Sequence, residues 1–134
     1  MDQQELNQKF QIFEKQIMQL QEQLRSVEQA IYDMQIITNG LDELVGKEGE
    51  EIMAPMGRGL YVKSKLLSDK LTVDVGGHNF VEKTIPETKE LISEQKEKLK
   101  ETKAELEKEL EKINEEVTET MKAFQKAQSE RMGN

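Results

Sequence analysis

The sequence predicts an α+β fold in which two long α-helices form an antiparallel coiled-coil hairpin, with two β-hairpins inserted between them. Three observations carry that reading. Residues 1–45 and 84–134 hold apolar side chains at heptad spacing, the signature of a helical seam. Residues 46–83 are punctuated by glycine and alternate apolar with polar side chains, as half-buried strands do. Finally, 34% of the 134 residues are charged, 35% are hydrophobic and Trp is absent, which is too little apolar matter for a large globular core.

In the first arm Leu6, Phe10, Phe13, Ile17, Leu20, Leu24, Val27, Ile31 and Met34 step alternately by four and three. This places Leu6 at d and Phe10 at a of a heptad, and Leu41 and Val45 resume the seam after a polar Thr38. Ten glutamines fall within the first 35 residues, but the seam runs unbroken through them, so they read as helix surface. Gly40 and Gly46 bracket the expected end of this arm, with Gly46 as the stop.

Four short strands are expected next, at Glu51–Met56, Gly59–Leu66, Leu71–Val75 and Asn79–Lys83. Gly57-Arg58-Gly59, residues 67–70 and Gly76-Gly77-His78 supply the turns. Isolated hairpins are marginal in water and their open edges invite pairing with another chain, so assembly through β-strands is expected. The residues assigned to that assembly are Met53, Met56, Leu60, Val62, Val73, Val75 and Phe80.

Thr84 and Glu87 have capping-box spacing at the start of the second arm, with Pro86 in its first turn. Ile85, Ile92, Leu99, Leu106 and Ile113 recur every seven residues, and Leu110, Val117 and Phe124 fill the alternate positions farther along. Extending that register backwards puts Lys89, Lys96 and Lys103 at seam positions, so the first half of this arm is the thinner half. Glu97, Glu101, Glu105 and Glu109 make an acidic ridge, offset at i, i+3 by Lys100, Lys108 and Lys112, and read as a solvated face. At about 1.5 Å per helical residue each arm is about 60–70 Å long, so folding back gathers Leu6, Phe10 and Phe13 with Val117, Met121 and Phe124 at one tip.

Charge excludes several functions. The chain carries a net −8, and residues 46–83 hold 6 basic against 6 acidic side chains, so the acidity lies in the arms. Without a basic face a nucleic-acid or membrane-surface partner is not expected. There is no Cys, and neither a leader-type segment nor an apolar run long enough for a bilayer is visible, so a cytoplasmic protein is expected. His78 is the only histidine, and no cysteine or second histidine could complete a metal site with it. Gly57-Arg58-Gly59 lacks the ending of a phosphate loop, and no nucleophile–base arrangement is suggested. Neither an enzyme nor a cofactor is expected.

With Pro55-Met56-Gly57, Gly59 and Tyr61-Val62 in the first hairpin, and Val73-Asp74-Val75-Gly76-Gly77 leading to Phe80-Val81-Glu82-Lys83-Thr84 in the second, the chain resembles prefoldin. The resemblance covers essentially all of residues 1–134 as one prefoldin-like domain. The two hairpins point to the archaeal-type alpha class, since beta-class subunits carry one. The resemblance implies an ATP-independent holdase chaperone, in which alpha subunits and prefoldin beta subunits form an α2β4 hexamer. Their strands would close into an intersubunit β-barrel platform. The coiled-coil tips would hold unfolded client proteins and deliver them to a group II chaperonin. Filament-forming relatives of the family make a self-assembling structural role the alternative. Lys63-Ser64-Lys65 departs from the Gly-containing turn often found there, so a different bend before Leu66 is expected.

Client contact needs adaptable apolar surface outside the seam. By register Ile12 falls at c, Met18 at b and Met121 at e, and these are the client candidates. Phe10, Phe13 and Phe124 are also tip candidates, although their seam positions favour packing within the arm. Tyr32, Ile36 and Ile37 are off the seam as well, but nearer the strands.

Overall fold

A computed structural model describes residues 2–132. The element order is α1 (Gln3–Leu44), β1 (Glu51–Gly57), β2 (Leu60–Lys65), β3 (Leu71–Asp74), β4 (Phe80–Lys83) and α2 (Ile85–Met132). Two compact units are present, one from the stretches up to Ala30 and from Lys98 onward, the other from Ile31–Glu97.

The first of these units is two-helix packing along the seam. Asp2 caps α1, its Oδ1 accepting the Glu5 amide at 2.8 Å. Leu6, Leu20 and Leu106 are buried. Phe10, Phe13, Ile17, Leu24 and Val27 on α1, and Leu99, Leu110, Ile113, Val117 and Phe124 on α2, are half-buried at the expected a and d positions. Lys103 Nζ reaches Glu28 on the other helix at 3.8 Å and Glu107 on its own at 3.9 Å. Of the pairs expected along the acidic ridge, neither Glu105–Lys108 nor Glu109–Lys112 closes among the described residues. An exposed pair gains too little to hold two long side chains in one geometry.

In the second unit Leu41, Ile85 and Ile92 form a buried cluster, with Met34, Leu44 and Leu71 packed against it. Leu71 thus fastens β3 to the helices. Thr84 caps α2: its Oγ1 accepts the Glu87 amide at 3.2 Å and donates to the Glu87 carboxylate at 3.0 Å. Such a cap contributes about 1 kcal/mol. Lys89 pairs with Asp42, and Lys96 donates to Gln35. From Lys89 to Lys96 the sequence advances by seven while the partner recedes by seven, which is an antiparallel heptad register. The thin half of the seam is therefore covered by lysine stems whose ammonium groups end on α1 side chains. Each exposed link contributes at most about 1 kcal/mol.

The strands pair as two separate two-stranded antiparallel sheets, β1 with β2 and β3 with β4. Glu51 faces Lys65 and Ala54 faces Val62 in the first; Leu71 faces Lys83 and Val73 faces Val81 in the second. Both turns are left-handed: Gly57, Arg58 and Gly59 have φ of 107°, 50° and 78°, and Gly76, Gly77 and His78 have 121°, 60° and 61°. Glycine adopts these angles without steric cost, so it dominates both turns. His78 is thus a turn residue.

Several expectations need correction. Val45 does not continue the seam: α1 ends at Leu44, the helical period stops, and Val45 is 61% exposed while Leu44 packs on the cluster. The end of α1 does fall between Gly40 and Gly46 as expected, and Gly46, with φ of 74°, follows it. Lys63-Ser64-Lys65 makes no bend, because all three pair with Met53, Ile52 and Glu51, and the backbone ladder runs on through Leu66 to Glu50 at 3.0 Å. Strand ends fall within a residue of those expected. Val75 lies just beyond β3, its amide still donating to the Asn79 carbonyl at 2.9 Å.

Candidate interaction surfaces

Strand register decides which of the assembly residues share a face. In the first hairpin Leu60 and Val62 lie on one face with Ile52 and Ala54, whereas Met53 lies on the other with Pro55 and Tyr61. Met56 sits at the bulge that precedes Gly57. In the second hairpin Val73 shares a face with Leu71 and Val81, and Phe80 lies opposite with Thr72, Asp74 and Glu82. The seven assembly residues therefore do not form one patch.

All of them but Val73 are exposed, Leu60 and Phe80 by 67% and 60%. Apolar side chains on both faces of a small hairpin, with both edges unpaired, are surface that this chain does not cover by itself. Tyr61, Ile52 and Val81 belong to the same faces and were missed by sequence reasoning. The signal was available: once Gly57-Arg58-Gly59 fixes the turn, pairing follows by counting outward. Leu67, in the connection between the two sheets, is more exposed than any of them.

In the two-helix unit the register separates the tip residues as expected. Ile12, Met18 and Met121 are exposed by 58%, 63% and 40%. Phe10, Phe13 and Phe124 are half-buried, and the Phe10 and Phe13 rings lie 6.4 Å apart in a tilted contact. These phenylalanines have packing partners; the three off-seam residues offer their surface to solvent. Met18 is flanked by Gln11, Glu14, Lys15, Gln19 and Glu22 around a shallow depression on α1. Tyr32, Ile36 and Ile37, in the other unit, are exposed too. Among the described residues no cluster of three or more His, Cys, Asp or Glu is placed to hold a metal ion, and no helix is long and apolar enough to cross a membrane.

Two long helices with two small antiparallel hairpins between them, short of core and rich in uncovered strand surface, define a subunit-type protein. Comparison with known proteins gives the family. Residues 13–130 match the family model described as prefoldin subunit. A curated prefoldin subunit alpha from Methanobrevibacter smithii is 33% identical over 81 residues, which are 60% of this chain and 56% of that relative's length. A cryo-EM structure of filamentous PFD from Methanocaldococcus jannaschii superposes with a TM-score of 0.76 at 21% identity, covering 87% of this chain and 98% of the other. The chain belongs to the prefoldin family of chaperone subunits. Two hairpins and a curated alpha relative agree on the alpha class.

Proposed function

We propose that the chain is the alpha-class subunit of an ATP-independent holdase. The observation that carries the reading is the uncovered apolar surface on two edge-open hairpins, which calls for strands from other subunits. Residues 1–134 act as one prefoldin-like unit that assembles with beta-class subunits into an α2β4 hexamer, the strands closing into a shared β-barrel. The complex works in the cytoplasm, and it passes held clients to a group II chaperonin.

Holding is assigned to Ile12, Met18 and Met121. Their side chains are not needed by the seam, and unbranched methionines adapt to varied apolar segments. Phe10, Phe13 and Phe124 support this surface from beneath and reach a client only where the helices part.

A complex carrying Ile12→Ser with Met121→Ser is expected to assemble normally. It should suppress aggregation of a denatured client severalfold less well, since each substitution removes about 1–2 kcal/mol of apolar contact. Light scattering of the client, with native mass measured on the same sample, checks this. Undiminished suppression by a correctly assembled variant would refute the tip assignment.

A further inference from the structure

Gly40 lies one turn inside the end of α1, in helical backbone. Glycine is the poorest helix former after proline, so the helix is weaker for having it there. Nothing in this chain requires it: among the described residues, a Cβ at that position would meet no atom within 4 Å beyond its own stretch of helix. Around this bare backbone stand apolar side chains that the seam does not use. Tyr32 and Ile36 share the helix face of Gly40 by i, i+4 spacing, and Ile37 lies beside them. Ile36 and Ile37 are 49% and 47% exposed, and Tyr32 is 61% exposed. One turn beyond Gly40 comes Leu44, which with Ile52 and Met53 supplies the apolar lining of a depression of about 480 Å³. The strand residues of that lining all come from β1, which pairs with β2 alone and leaves its other edge open.

We infer that the assembly surface continues from the β1 edge onto the outer face of α1, where a beta-class subunit packs against Ile36 and Ile37 and into the dent at Gly40. The inference rests on the assembly reading above and adds a helix contact to it. Continuity names the occupant. Met53 belongs to the strand surface assigned to beta-class partners, and from it the apolar path runs through Leu44 to Ile36, about 12 Å along the helix. A partner segment paired with the open β1 edge passes the end of α1 and meets that path. The strands alone are too small for a stable contact. One face of the first hairpin, seven residues long and two strands wide, spans about 23 by 10 Å. That is well short of the ~800 Å² per partner that a stable interface buries. The missing side chain at Gly40 then has a use, since it lets the partner approach the helix backbone closely.

The test measures two things: association of the full chain with a dye-labelled beta-class subunit, by anisotropy titration, and the urea midpoint of the chain alone. Gly40→Gln fills the dent with a better helix former. The midpoint should rise by about 0.3 M while association weakens about tenfold. Ile36→Gln with Ile37→Gln removes apolar contact at positions already half-exposed, so the midpoint should hold and association should again weaken about tenfold. At Gly40, stability and association moving in opposite directions is what a role within the chain alone does not produce. Association equal to that of the unsubstituted chain in either variant, or weakened association with a lowered midpoint, would overturn the helix contact and leave assembly through the strands intact. So would a dimer of the chain alone that the substitutions dissolve without changing its affinity for the beta-class subunit. If the unsubstituted chain does not bind the beta-class subunit, the assembly reading fails and the helix contact falls with it.

Discussion

A chain carrying Leu60→Asp together with Val62→Asp is expected to keep its helices and to lose assembly. Both side chains lie on one face of the β1–β2 hairpin and both are exposed in the chain by itself. Exposed carboxylates there cost the isolated chain little. Once partner strands cover that face, two charges would be buried beside Ile52 and Ala54 with no cation among the residues of that face. Burying an unpaired carboxylate costs several kcal/mol, so association should weaken by about a thousandfold or more. Far-UV circular dichroism reports the helices, and sedimentation with a beta-class subunit reports the association. Unimpaired association would show that this face is not an interface. The matching substitution Met53→Asp, on the opposite face, asks separately whether the hairpin is covered on both sides.

The second large effect is expected at Ile85. It is the first residue of α2 and 5% exposed, packed with Leu41, Ile92 and Leu71 where helices and β3 meet. Ile85→Ala removes buried methyl groups and leaves a cavity, at a cost of about 2–4 kcal/mol. Against a total stability of about 5–15 kcal/mol for a domain, and with few fully covered side chains here, that is a large fraction. The urea midpoint should fall by about 1–2 M with an unchanged slope. Because Leu71 rests on the same cluster, β3 and β4 should also gain amide exchange. Val45→Ala, at a residue past the helix end, should move the midpoint by little. Equal effects at the two positions would contradict the assigned core.

The helices were legible because heptad spacing and burial follow one physical rule. Residues placed at a and d from spacing alone, Leu6, Leu20, Leu41, Ile92 and Leu106 among them, are the ones covered. Thr84 and Glu87 announced their cap for the same local reason. Val45 escaped the rule because periodicity says nothing about where a helix stops.

Lysines at seam positions were readable, but their partners were not. Asp42, Gln35 and Glu28 lie on α1, and finding them requires the helix-to-helix register, which no single arm encodes. The strand residues were harder still. Met53, Val62 and Phe80 were recognisable as apolar strand residues, yet their division between opposite faces depends on pairing.

Native mass measurement of the chain, alone and titrated with a beta-class subunit, tests whether this subunit completes its strand surface with beta-class partners and then holds unfolded protein. A small species is expected for the chain alone, converted on titration into an α2β4 hexamer that suppresses client aggregation. Long open-ended ladders formed by the chain alone and indifferent to the partner would contradict it and favour the filament role.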